Sequence, residues 1–251
     1  LGQGHALAAG AAVAEKFLEA RLGSVMMQHK IYAYISDGAV QEEISQGVGR
    51  IAGNLGLNNL IMFYDANNVQ LSTQCDLVST EDTAMKYRAW GWKVVTIDGH
   101  NVDEIRHALD EAIAEPQRPT LIIGKTIMAK GALKEDGSSY EHSVKTHGAP
   151  LGGDAYVNTI KHLGGNIDQP FEIFDDVAQL YAQRKEQLNQ LVAERRAAER
   201  AWREANPDLA QQMDEWFSGR APKVDWSGLT LQEGAATRVA SAACLGILAE
   251  Q

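Results

Sequence analysis

Apolar residues fall into short unbroken runs separated by stretches of helical spacing, and each run stops at a cluster of Asp, Asn, Gly or His. Lys30-Ile-Tyr-Ala-Tyr-Ile35 stops at Ser36-Asp37-Gly38, and Asn59-Leu-Ile-Met-Phe-Tyr64 at Asp65-Ala-Asn67-Asn68. Lys93-Val-Val-Thr-Ile97 stops at Asp98-Gly-His100, and a fourth run extends from Pro119 to Ile127. Rich in β-branched and aromatic residues, these runs predict strands. Between them the spacing predicts helices over 6–20, with Glu15, Lys16 and Glu19 on the polar side, over 41–55, with Ile44, Val48 and Ile51 apolar, and over 81–90 and 102–114. Strands that are apolar throughout and alternate with helices imply an α/β fold: a mostly parallel sheet flanked by helices and buried on both faces. Such sheets bind ligands at the carboxyl ends of their strands, and the polar clusters fall at those ends.

Beyond the fourth run the pattern changes. Residues 128–155, rich in Gly, Ser, Lys and His, are expected to form one long loop, and long ordered loops are usually functional. Residues 171–205 are helical and heavily charged, as a solvated helix with i,i+4 pairs would be. The stretch from Asn206-Pro207 to Ser227 looks like linker, and 235–251 like the first helix of a following domain. The expected division is a core over 1–165, a charge-rich helical linker over 166–234, and the start of another domain over 235–251. Because the sequence opens at Leu1 without a Met, it is read as a piece of a longer polypeptide.

Composition narrows the classes. With 251 residues, 45% of them apolar, the chain can bury a core, and 33 acidic against 23 basic residues give a net charge of −10. That balance argues against a nucleic-acid surface, though not against a metal-assisted phosphate site. Cys75 and Cys244 lie far apart without CxxC spacing, so neither a structural zinc nor a disulfide framework is expected, and a reducing, cytoplasmic setting fits. No membrane span or leader is visible.

Asp37-Gly38 and Asn67-Asn68-Val69 place oxygen ligands at two turns. A carboxylate, an amide oxygen and a backbone carbonyl suit a hard cation such as Mg²⁺, whose remaining positions a diphosphate and water would fill. Gly38 leaves room for the backbone to approach a phosphate. The thirty residues from Asp37 to Asn67 are one helix-and-strand unit, which sets the two turns side by side.

The order Ser36-Asp37-Gly38, Glu42, Tyr64-Asp65-Ala66-Asn67-Asn68 resembles the thiamine-diphosphate signature, a Gly-Asp-Gly triplet followed about thirty residues later by Asn. Leu1-Gly-Gln-Gly4, Glu81-Asp-Thr-Ala-Met85, Gly91-Trp92, Asp98-Gly-His100 and His147-Gly-Ala-Pro-Leu-Gly152 are similar, in the same order, to transketolases, closely over 1–165. The resemblance implies a homodimeric, cytoplasmic transferase of the pentose phosphate pathway that moves a two-carbon glycolaldehyde unit from a ketose phosphate to an aldose phosphate. This chain would supply the diphosphate and metal half of the site, and residues from 235 onward would begin a pyrimidine-binding domain. Asp37, Asn67 and Val69 would hold Mg²⁺ or Ca²⁺, and Gly38 would lie against the diphosphate of thiamine diphosphate. Leu1, Val69 and Met128 would flank the cofactor rings, Glu42 would join an acidic network that supports cofactor activation, and His147 would lie near the aminopyrimidine and assist proton transfer.

Two residues depart from the pattern: Ser36 replaces the first Gly of the triplet, and Asn68 stands where many transketolases have Gly. The loop between Lys130 and Thr146 is longer than usual. His100 shapes a turn at a strand end, His5 is near the cofactor only by proximity to the Gly-rich loop, and His29, His107, His142 and His162 have no supporting motif, while Tyr64 and Trp92 are assigned to packing. Two alternatives stay open: another thiamine-diphosphate enzyme of the deoxyxylulose-phosphate synthase or keto-acid dehydrogenase type, and a non-catalytic transketolase-like module. The chain alone, without the remaining domains and the partner subunit, is expected to be inactive.

Overall fold

Four β-branched runs form the strands β1 (Ile31–Ser36), β2 (Leu60–Ala66), β3 (Lys93–Asp98) and β4 (Thr120–Lys125) in a computed structural model that describes residues 2–221 and 223–250. They make one parallel sheet in the order β1-β2-β4-β3. The helices α1 (Gln3–Leu22), α2 (Asp37–Gln41), α3 (Glu43–Asn54), α4 (Thr83–Ala89) and α5 (Val102–Ala114) alternate with the strands, as expected for an α/β fold. Leu60, Met62, Tyr64 and Ala66 of β2 join a cluster with α1, α3 and α4, whereas Ile61 and Phe63 join one with α5. Because successive strand residues face opposite sides, these clusters lie on the two faces of the sheet. Burying each large aliphatic side chain contributes about 1.5–3 kcal/mol.

The two faces are not covered equally. Tyr32 and Tyr34 on the edge strand β1 are 55% and 85% exposed. The expectation of a sheet buried on both faces therefore fails at β1, because α5 packs chiefly on β3 and β4 and reaches β2 only at Ile61 and Phe63.

The helix expected over 41–55 is broken. α2 ends at Gln41, Glu42 is extended, and α3 starts at Glu43. Its buried face is not the apolar one: Ile44 and Ile51 are exposed, while Ser45, Gly49 and Ala52 are buried. Close approach to the Trp90-Gly91-Trp92 segment sets this choice. A Cβ on Gly53 would stand 1.8 Å from the Trp90 carbonyl oxygen, and one on Gly49 2.8 Å from the Trp90 ring. Trp92 is buried and donates its indole N–H to the Gly49 carbonyl at 2.8 Å, which matches its assignment to packing. In α1, Glu15 is not on the solvated side: it is buried and accepts bonds from the His29 amide at 2.7 Å and the His29 ring at 2.9 Å.

After β4 the chain runs through an irregular segment with a short 3₁₀ turn (Val144–Thr146) to α6 (Gly153–His162), a helix the sequence pattern did not single out. The charged stretch forms α7 (Asp175–Ala205), and the chain divides into two compact units within that helix, between Glu199 and Arg200. In the second unit the polar stretch after Asn206 is not all linker: α8 (Pro207–Phe217) opens with Pro at its first position and buries Ala210 and Met213. Arg203 makes two hydrogen bonds to Asp214 there, and α9 (Thr237–Ala249) follows.

Candidate active site

Ser36 ends β1 and Asp65 lies beside it in β2, so the turns that follow the two strands emerge together. Asp37, only 3% exposed, opens α2 at that corner. One of its oxygens accepts the Tyr64 hydroxyl at 2.7 Å, and the other accepts the Asn67 backbone N–H at 3.0 Å. The Asn67 side-chain oxygen in turn accepts the Val69 N–H at 2.9 Å.

That last bond orients the Val69 carbonyl. Gln70 N–H bonds to Thr73 O and Cys75 N–H to Asn68 O, which makes Val69 and Gln74 a non-hydrogen-bonded pair in a small hairpin. At such a position the N–H and C=O point together out of the ladder. The Val69 N–H and carbonyl therefore both leave the hairpin on the side away from Gln74, where the N–H meets the Asn67 side chain.

The two departures from the signature are explained by backbone geometry. Asn68 has φ +64°, in the left-handed region where Gly is the usual choice and Asn the best-tolerated substitute. Ser36, at φ −104° and ψ 171°, is extended, which any residue can adopt. Gly38 faces open space, with no atom within 4 Å of where a Cβ would stand, so a methyl there would occupy room left beside the corner.

Two cavities open at the carboxyl ends of β1 and β2. One of about 490 Å³ is lined by Asp37, Gln41, Tyr64, Cys75 and Lys125. The other, of about 460 Å³, is lined by Gly2, Gly4, His5, Tyr34, Ser36 and Asp65. Burial, then the hydrogen bond to Asp37, pushes the Tyr64 hydroxyl far above its ordinary range, so it remains a donor. The Cys75 thiol is pushed up to about 11 by burial and by the charge of Asp37, which keeps it protonated. Burial lowers His5 to about 4, and both ring nitrogens lack a hydrogen-bond partner.

The remaining expected residues are not drawn into this corner. Glu42 lies between α2 and α3 with its Cβ 3.4 Å from the point where a Cβ on Gly2 would stand, beside the Gly-rich entry to α1. Leu1 lies outside the described residues. Met128 follows β4 and accepts the His142 N–H through its carbonyl at 3.1 Å. His147 is exposed at the end of the 3₁₀ turn, its amide bonded to the Val144 carbonyl at 3.2 Å. His100 accepts the Ile127 N–H at 2.9 Å and so shapes a turn, as expected. Among the described residues no three His, Cys, Asp or Glu side chains form a metal cluster.

Tyr64 packs in the core as expected, and its hydroxyl also holds Asp37, a role that sequence reasoning did not assign. The available signal was its position at the carboxyl end of β2, one residue before the partner of Ser36.

A parallel α/β sheet whose first two turns converge on a buried carboxylate has the architecture of a domain that binds its ligand at the carboxyl ends of its strands. The sequence profile described as "Transketolase, thiamine diphosphate binding domain" matches residues 1–222. Transketolase 1 of Pasteurella multocida is 37% identical over 233 residues, covering 90% of this chain and 33% of that protein. Transketolase of Geobacillus stearothermophilus is 33% identical and covers 100% of this chain and 38% of its own length. Among solved structures, transketolase from Leishmania mexicana superposes with a TM-score of 0.86 at 31% identity, covering 99% of this chain and 37% of that one. That from Campylobacter jejuni gives 0.78 at 32%, covering 100% and 38%. The chain belongs to the transketolase thiamine diphosphate binding domain family, and it spans about a third of the length of the curated relatives it matches.

Proposed function

We propose that this chain is the diphosphate- and metal-binding part of a transketolase. The observation that carries the reading is that the buried Asp37 carboxylate accepts the Asn67 backbone N–H at 3.0 Å while the Asn67 side-chain oxygen accepts the Val69 N–H at 2.9 Å, which links the three residues in a chain of that family. Their oxygens fit a hard divalent cation, Mg²⁺ first and Ca²⁺ second. Asp37 keeps unused lone pairs after its two bonds, since a carboxylate offers about four acceptor sites.

When bound, thiamine diphosphate supplies a carbanion and an electron sink for carbon–carbon cleavage, and the protein's task is to bind, orient and exclude water. Gly38 leaves its backbone open to a phosphate oxygen, and the corner residues hold the cation that neutralises the diphosphate. Val69 and Met128 offer apolar contact to the cofactor rings, Leu1 is assigned there by the motif alone, and Glu42 extends toward the acidic network at the dimer interface. His147 holds or moves a proton at its ring nitrogens near the reacting carbon, a role suited to imidazole at neutral pH. The active enzyme is then a cytoplasmic homodimer acting on sugar phosphates in the pentose phosphate pathway.

The test is product analysis of the complete natural polypeptide with xylulose 5-phosphate and ribose 5-phosphate. Appearance of the seven- and three-carbon sugar phosphates, dependent on thiamine diphosphate and Mg²⁺, supports the reading; release of other products under those conditions contradicts it.

A further inference from the structure

The Val69 carbonyl stands on a small hairpin whose two limbs start at Asn68 and return through Asp76, and Asn68 joins those limbs twice. Its backbone carbonyl accepts the Cys75 N–H at 3.1 Å, and its side-chain oxygen accepts the next N–H, that of Asp76, also at 3.1 Å. The first bond belongs to the ladder that pairs Val69 with Gln74. The second satisfies an N–H in the opening turn of the 3₁₀ helix Cys75–Leu77, where a helix offers its own N–H groups no partner. Two further side chains tie the hairpin to the first turn: Gln41 donates to the Gln70 side-chain oxygen at 3.3 Å, and the half-buried Cys75 thiol is hydrogen-bonded to the Asp37 carboxylate, which also receives Tyr64 and the Asn67 N–H. The return limb is thus anchored at Asp37, and Asn68 fastens the outgoing limb, with Val69, to it. Glycine would meet the φ of +64° at position 68 at no steric cost. The left-handed backbone alone therefore does not call for Asn, whereas the bond to Asp76 does.

We propose that Asn68 is a positioning residue whose side chain clasps the base of this hairpin and so holds the Val69 carbonyl ready for the cation. The inference rests on the reading of Asp37, Asn67 and Val69 as cation ligands. Asn68 acts through the hairpin backbone and not as a ligand. Without the clasp the hairpin populates other arrangements, and a cation that needs one of them binds more weakly in proportion to the population lost.

The experiment uses the complete natural polypeptide with thiamine diphosphate present and Mn²⁺ as a spectroscopically visible probe. Asn68→Gly keeps the backbone conformation and removes the acceptor, while Asn68→Ala removes the acceptor and strains the left-handed backbone as well. Loss of one hydrogen bond of ordinary net strength should lower Mn²⁺ affinity about 3- to 10-fold in Asn68→Gly, with Asn68→Ala weaker still. The order Asn, then Gly, then Ala is the decisive readout, because a requirement for φ alone would let Gly match or exceed Asn. Binding is measured on folded protein, so a change in global stability leaves that order unmoved. Mn²⁺ binding by Asn68→Gly as tight as that of the unsubstituted protein, or tighter, overturns the inference and leaves the functional reading intact. Absence of saturable Mn²⁺ binding in the unsubstituted protein overturns the functional reading and the inference with it.

Discussion

The Asp37 corner and the segment bearing His147 both follow the carboxyl ends of strands, yet they draw their hydrogen bonds from different places. At the corner the bonds join separate elements: Tyr64 of β2 to Asp37 of α2, and the amide of Asn67 to the same carboxylate. Around His147 they are local, the amide of His147 to Val144 and the Thr146 hydroxyl to Ser143. More distant anchors lie earlier in that segment, where Leu133 N–H reaches the Thr159 hydroxyl and Gly131 N–H the Glu141 carboxylate. One half of the candidate site is therefore fixed by the fold of this chain, and the other rests on a short turn at the surface. Substitutions in the two regions should differ in kind as well as in size.

The sharpest test of that contrast is Asp37→Ala. It removes the proposed cation ligand and leaves two buried donors unpaired, at about 1–3 kcal/mol each. Chemical denaturation should show a loss of about 2–5 kcal/mol, with metal-dependent cofactor binding weakened by at least about 100-fold. Wild-type stability in this variant would break the comparison. Gly53→Ala probes the scaffold beneath the corner, where a Cβ would stand 1.8 Å from the Trp90 carbonyl. Overpacking against backbone should cost about 2–3 kcal/mol in a denaturant titration.

His5 sharpens the comparison through pH. Its pKa is lowered by burial from 6.5 to about 4, so between those values the unfolded chain binds the proton more readily than the folded one. Stability is complete above pH 6.5 and declines as pH falls toward 4, by an amount on the order of 2–3 kcal/mol. His5→Leu should flatten this limb of the stability–pH curve; an unchanged limb would place the titration elsewhere. The smallest structural effect is expected from His147→Ala, an exposed turn residue whose replacement should shift stability by less than about 0.5 kcal/mol. In the complete enzyme the same substitution should lower kcat, measured by product formation, while metal affinity stays unchanged.

The strands and their polar ends were legible in the sequence because buried parallel strands are written as continuous apolar runs, and turns as Asp, Asn and Gly. The juxtaposition of Asp37 and Asn67 was legible for a related reason: one helix-and-strand unit separates them. The buried face of α3 was not, since packing against Trp90 and Trp92 selects small residues and leaves Ile44 and Ile51 outside. A periodicity of large apolar residues points to the wrong face wherever close approach governs the contact. The partners of Glu15 and Tyr64 were hidden for another reason: their polar atoms meet groups 14 and 27 residues away, a pairing that only the register of the fold determines. The helical nature of 207–217 was obscured by its polar composition, although Pro207 after Asn206 is a regular helix start.

The central claim is that one corner of this chain holds a divalent cation through Asp37, Asn67 and the Val69 carbonyl. Anomalous diffraction from crystals of the complete natural polypeptide grown with thiamine diphosphate and Mn²⁺ tests it most directly. The account predicts a single peak at about 2.0–2.3 Å from one Asp37 oxygen, the Asn67 amide oxygen and the Val69 carbonyl oxygen. A well-ordered cofactor with no peak at this corner, or with a peak bound by other residues, would contradict it.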